Sequence, residues 1–271
     1  MRCQILSTLV VLLSGSATPS LAMNVSINDD GAVQFATLNG VIDPETPKQV
    51  KDQLSAAQKK KPLALFIQSD GGAYVAIKPM QDAILDLAKA NYDLYKKPLL
   101  LNFQTICASG CSILSSMLTK NRDPKTLEIR VANDAVFGFH GSVIRDNGKT
   151  DKTATIEAKA ELEKQIVQTY LDAGVSPDFI KAHADMFKIH FKQTLFSAKD
   201  MCGQKTMVIP PDSCVENELE VYRWIARMSD SPEQQKVLIP IDPAKPPPEP
   251  LPAEQDNKPL NQGPQKLPFV G

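Results

Sequence analysis

The stretch Leu99-Leu100-Leu101-Asn102-Phe103-Gln104-Thr105-Ile106-Cys107-Ala108-Ser109-Gly110-Cys111 runs from apolar residues into a serine, and a second apolar stretch follows at 113–118. The spacing predicts a buried strand over 99–103 that turns into a helix opening near Ser109. A helix start presents unpaired N–H groups and the positive end of its dipole. A serine in that place is positioned to attack a carbonyl and to have the resulting oxyanion held by nearby donors. Downstream, Val136-Phe137-Gly138-Phe139-His140-Gly141 sets a histidine at the end of a strand-like run, where His140 is the candidate base.

On either side the pattern alternates. Residues 33–38 read as a strand, and 47–58 as a helix with Val50, Leu54 and Ala57 on one face. A strand over 63–68 precedes a helix over about 74–90, striped by Ile77, Met80, Ile84 and Leu87, in which Pro79 is tolerable only near the first turn. Residues 127–131 and 135–139 are further strands. A long helix over about 153–173 carries Ala158, Leu162, Ile166 and Tyr170 four apart and ends at Gly174. Ser176-Pro177 caps a short helix, and Val221, Trp224 and Ile225 mark the apolar face of a final one. Such alternation predicts an α/β domain with a largely parallel sheet, whose active groups collect at the carboxyl ends of the strands.

Both ends of the chain differ from the middle. Arg2, the short apolar run 5–13 and the small residues of Ser20-Leu21-Ala22 read as a secretory signal over 1–22, too short to be a membrane anchor. The folded domain is expected over 23–230. The stretch 239–271 holds ten of the 21 prolines, so 231–271 is expected to be a disordered, Pro-rich tail. Net charge is −1, and cleavage after Ala22 leaves 29 basic against 31 acidic residues. With Lys59-Lys60-Lys61 as the one basic run, no nucleic-acid surface is expected. No later stretch reaches transmembrane length, so the mature protein is expected to be exported, periplasmic and without an anchor.

Cleavage also removes Cys3 and leaves Cys107, Cys111, Cys202 and Cys214. An even count in an oxidising compartment suggests disulfides. Cys202 and Cys214 bracket a loop that a bridge would close. Cys107 and Cys111 are either bridged, locking the turn that carries Ser109, or buried as apolar thiols. No second ligand pair has metal spacing, so no metal or other cofactor is expected.

Ser69-Asp70-Gly71-Gly72 follows the strand at 63–68 and lets the main chain turn tightly with its N–H groups exposed. The amides of Gly72 and Gly110 are the candidate oxyanion donors. Each site residue has a plain alternative. Ser109 caps its helix, His140 bonds a main-chain carbonyl at the strand end, and Asp70 stabilises its turn. His183 and His190 read as surface or structural histidines.

Over about 33–201 the chain resembles the Clp-type serine peptidases and the wider crotonase superfamily. The resemblance rests on Gly40-Val41-Ile42-Asp43, Ser69-Asp70-Gly71-Gly72, Ala108-Ser109 and the strand-terminal His140. Cys107-Ala108-Ser109-Gly110-Cys111 with Gly138-Phe139-His140 is similar to exported Clp-like proteins. The resemblance implies repeated β-β-α units, a Ser109–His140 pair, peptide or protein substrates and possible homo-oligomers. Export argues against the partner ATPase these peptidases use, and against an acyl-CoA substrate. The chain departs from the family at two places. Asp70 stands where proline is usual, and the place of the catalytic aspartate, counted back from Ser197-Ala198, holds Ile189 or His190. Asp185 is the substitute if the alignment shifts. The implied function is a serine hydrolase acting on peptides. The alternative is a catalytically silent module that binds peptides or assembles envelope proteins.

Overall fold

Leu63, Leu65 and Ile67 face one side of a strand, Ala64 and Phe66 the other, and none of the five is more than 4% exposed. A strand apolar on both faces belongs in the middle of a sheet covered on both sides. The computed structural model describes residues 22–30, 32–141, 145–146, 149–150, 156–188 and 193–228. His190, the signal segment before Ala22 and the tail 231–271 lie outside the described residues.

In chain order the elements are β1 (Asn24–Asp30), β2 (Val33–Asn39), α1 (Thr46–Gln58), β3 (Leu63–Ser69) and α2 (Tyr74–Tyr95). β4 (Leu99–Ala108), α3 (Gly110–Asn121), β5 (Leu127–Ile129), β6 (Val131–Ala132) and β7 (Val136–Phe139) follow. After β8 (Arg145–Asp146) and β9 (Lys149–Thr150) come α4 (Ile156–Ala173), α5 (Pro177–Ala182) and a 3-10 turn, Ala184–Phe187. The last elements are β10 (Thr194–Ser197), α6 (Ala198–Gly203), β11 (Cys214–Val215) and α7 (Glu218–Met228).

The main sheet has the order β1-β2-β3-β4-β7-β10, with β5 also pairing β4. Its interior pairings are parallel, while β1 and β10 close the two edges antiparallel. The expected α/β class with a largely parallel sheet is what the chain adopts. The opening β1-β2-α1 has the ββα form, and short parallel bridges pair Ala22 with Val41 and Ile42 with Gly72. One face of the sheet is packed by Leu54 of α1, Ile77 and Ile84 of α2 and Leu114 of α3. On the other, Val221 and Ile225 of α7 cover Val33, Ala64, Phe66 and Leu100. Trp224 packs with them, as expected of an apolar helix face, and lies 5.6 Å below the Arg130 guanidinium.

β4 departs from the expected 99–103 by running on to Ala108. Its first half pairs β5, with Leu99 opposite Leu127, and its last residues pair β7, with Ile106 opposite Val136. Between them the register against β3 jumps from Ile67↔Phe103 to Ser69↔Cys107, a bulge in which Thr105 has φ 46°. The bulge changes β4's partner and carries its carboxyl end toward β7. α2 also outlasts its expected end and closes at Lys96 in the left-handed region, φ 54°. Pro79 lies just past the first turn of α2, and the carbonyl it leaves without an N–H is that of Val75, a residue 71% exposed to water. Ser176 precedes α5, but its hydroxyl makes no capping bond. Gly174 ends α4 at φ 101° as expected.

A disulfide joins Cys202 on α6 to Cys214 on β11. Among the described residues no helix is long and apolar enough to cross a membrane.

Candidate active site

The carboxyl ends of three neighbouring strands meet at one place. β3 ends at Ser69 and delivers Gly71-Gly72, β4 delivers Ser109, and β7 delivers His140.

Ser109 sits between β4 and α3 with φ 53° and ψ −119°, a conformation of high energy for a residue with a Cβ. Its hydroxyl makes no capping hydrogen bond, which removes the capping alternative. The turn is held from several sides. The Ser109 amide donates to the Gly138 carbonyl at 2.8 Å. The buried Ser112 hydroxyl donates to the carbonyls of Cys107, 2.8 Å away, and Gly138, 3.0 Å away. A disulfide between Cys107 and Cys111 spans the turn, and both cysteines are buried. Of the two readings left open for this pair, the bridge holds.

Glycines give the serine its room. A Cβ on Gly71, where φ is +116°, would lie 2.6 Å from the Ser109 Cβ. A Cβ on Gly72 would fall 2.0 Å from the Ile42 carbonyl oxygen, because that oxygen accepts from the Ala73 amide at 2.8 Å. The turn is further fixed by the buried Ser69 hydroxyl, which donates to the Gly71 carbonyl and accepts from its amide. Ser69 therefore does the work expected of Asp70, which is exposed. Gly110 follows Ser109 as the first residue of α3, and the Gly72 nitrogen is 3.2 Å from where a Gly110 Cβ would be. Among the described residues neither the Gly72 nor the Gly110 amide has a hydrogen-bond acceptor.

Ser109, Gly72, Gly110 and His140 line one open cavity of about 460 Å³. The His140 Nδ1 lies 2.5 Å from the Gly141 carbonyl oxygen. With the hydrogen on Nδ1 this contact is a hydrogen bond to the carbonyl, and a neutral ring then has its lone pair on Nε2. The main-chain contact expected as the plain alternative for His140 is thus present. The structure does not bring Asp185 to this ring. Its carboxylate is exposed and pairs with Lys188, since the 3-10 turn points that side chain to solvent. His183 packs against Phe179 and Phe196, with ring centres 4.8 and 5.0 Å away, as a structural histidine.

The rest of the cavity is formed by Tyr74 of α2, Ile113 of α3 and one face of α4, where Leu162, Ile166 and Tyr170 project. Sequence reasoning placed these three in a stripe spaced four apart along the helix. Leu162 and Ile166 are only half-buried, because the stripe lines the cavity wall. A stripe spaced four apart looks the same whether it meets packed side chains or a cleft. Tyr170 is buried, and loss of water pushes its phenol well above the ordinary tyrosine range, partly offset by a hydrogen bond with the His140 backbone. Among the described residues no cluster of histidine, cysteine or acidic side chains could hold a metal ion.

No protein-family model matches the chain, and no curated protein matches it. Among solved structures the chain is similar to a serine-to-alanine mutant of the membrane-bound stomatin-specific protease 1510-N. The identity is 13%, the TM-score 0.45, and the match covers 72% of this chain and 85% of that one.

Proposed function

We propose that the protein is an exported serine hydrolase of Clp-like type, acting on peptides through Ser109 and His140. The observation that carries this reading is Ser109 itself. Its backbone is strained, its hydroxyl caps nothing, and it lines one cavity with an imidazole and two amides that have no acceptor among the described residues. Strain of this kind persists only where the surroundings over-determine it, and it gathers at functional sites.

In the proposed reaction the His140 Nε2 takes the Ser109 hydroxyl proton as Oγ bonds to the substrate carbonyl carbon. The Gly72 and Gly110 amides donate to the oxyanion. The imidazolium then passes its proton to the leaving nitrogen as the C–N bond breaks, and water, deprotonated by the same imidazole, releases the acyl group. The signal-like start and the two disulfides support export. Self-association rests on the family resemblance alone.

A fluorophosphonate probe is expected to label the purified protein on Ser109, and Ser109→Ala is expected to abolish labelling without loss of fold. A correctly folded protein that never labels, whatever the pH, would leave the silent peptide-binding module as the function.

A further inference from the structure

Residues 102–105 of β4 fall between its two pairings on that side. The ladder with β5 ends at Leu101↔Ile129, and the ladder with β7 begins at Ile106↔Val136. A second cavity of about 190 Å³ lies at this gap, several times the volume of one water molecule. No residue lines both this cavity and the one at Ser109. Asn102 lines it, and strand alternation puts Asn102 on the same face as Leu100, the face that α7 covers. Asn102 is 2% exposed, yet among the described residues its side-chain amide has no hydrogen-bond partner. A buried amide in that state is destabilising, so a ligand that bonds to it gains what the fold leaves unmade.

Asp134 and Glu218 also line the cavity. Both are exposed, and among the described residues neither carboxylate is in an ion pair. The arginines of the flanking segments are engaged elsewhere, Arg130 with Glu128 and Arg223 with Glu220. No lysine or arginine lines the cavity, so its field favours a cation. Two carboxylates without a third metal-ligating side chain do not make a metal centre. Ala132, Ala135 and Val136 give part of the wall an apolar character. That combination suits a guanidinium, which has five N–H donors in one plane, accepts nothing and is more weakly hydrated than an ammonium.

We infer that this cavity is a binding site for a guanidinium group, with the Asn102 amide oxygen as its buried acceptor and the Asp134 and Glu218 carboxylates at its rim. The group belongs either to a small free molecule or to an arginine side chain, and the chemistry of recognition is the same.

The test titrates the 15N-labelled full chain with agmatine and, separately, with Nα-acetyl-arginine methylamide, which stands in for an arginine within a polypeptide. The Asn102 side-chain NH2 signals, assigned by their loss in Asn102→Leu, are expected to shift saturably with both compounds. The tighter of the two names the source. The uncharged citrulline counterpart of the blocked arginine is expected to cause no saturable shift. In Asn102→Leu, read at the amides of Ala135 and Val136, affinity is expected to fall about tenfold or more, the size of one hydrogen bond to a charged group. Asp134→Asn combined with Glu218→Gln is expected to weaken binding by at least as much, and both positions are exposed enough to leave the fold intact. The inference is overturned by the absence of a saturable shift with either guanidine compound, or by equal binding of the citrulline compound. Saturation by calcium chloride alone, or unchanged affinity in both variants, would overturn it equally. Since the two cavities share no residue, these outcomes are independent of fluorophosphonate labelling at Ser109.

Discussion

Gly71 illustrates how much of this site is decided by single atoms. With φ +116°, an alanine there suffers the left-handed backbone penalty of roughly 1–2 kcal/mol. Its Cβ also meets the Ser109 Cβ at 2.6 Å and the Ala108 carbonyl at 2.9 Å. Gly71→Ala is therefore expected to push the serine out of line and slow fluorophosphonate labelling by about 10²-fold or more, as for a misaligned nucleophile. Rapid-quench labelling alongside circular dichroism checks this. Gly203→Ala serves as the comparison, because nothing lies within 4 Å of its would-be Cβ. It is expected to label at the wild-type rate with stability changed by less than about 0.5 kcal/mol. At this scale Ser109, Gly72, Gly110 and His140 were readable because each follows an apolar run at a strand end. Tyr170 was readable only as one more member of a helical stripe. What separates a core tyrosine from one that lines a cavity is the long-range fold.

Among the elements, α1 shows a start signal set back from the helix. Asp43 Oδ1 accepts from the Thr46 amide at 2.8 Å, the Glu45 amide at 3.0 Å and the Thr46 hydroxyl at 2.8 Å. The hydrogen bond from the Thr46 side chain, with those from the two amides, holds the Asp43 carboxyl below its ordinary value, outweighing the opposing effect of burial. Asp43→Ala is expected to cost about 1 kcal/mol of stability near neutral pH, the usual size for a lost cap. A carboxylate depressed in the folded state stabilises fully above its unfolded pKa, and the contribution fades as pH falls through the folded value. The gap between wild type and Asp43→Ala in urea melts is thus expected to be constant at pH 6–8 and to close below about pH 4. Helices and central strands followed the apolar periodicity closely. The elements that escaped it have physical reasons. β1 reads Asn-Val-Ser-Ile-Asn-Asp-Asp and lies at an edge where water tolerates polar residues on both faces. β10 is four residues long, and the end of β4 passes through a polar bulge that only its two neighbours require.

On the scale of the whole molecule, the sheet separates chemistry from support. The cavity opens at the carboxyl ends of β3, β4 and β7, while α7 closes a smaller apolar cluster with Val33, Phe66 and Leu100. Ile225→Ala removes a fully buried side chain from that cluster and is expected to cost about 3 kcal/mol. That loss lowers Tm by roughly 6–12 °C in a domain of this size. Labelling of Ser109 well below the new Tm is expected to proceed at the wild-type rate. Calorimetry paired with labelling reads both, and a parallel fall in the two would show the faces to be coupled. The order in which strands pair, including the change of partner along β4, is written in no local pattern and emerges only when the elements dock. The Cys107–Cys111 link closes a loop of five residues around Ser109. Material made in a reducing host, or kept in millimolar dithiothreitol, therefore risks reaching the assay with a sound scaffold and a slack trigger. A negative result on such a sample says something about the buffer before it says anything about the proposed activity.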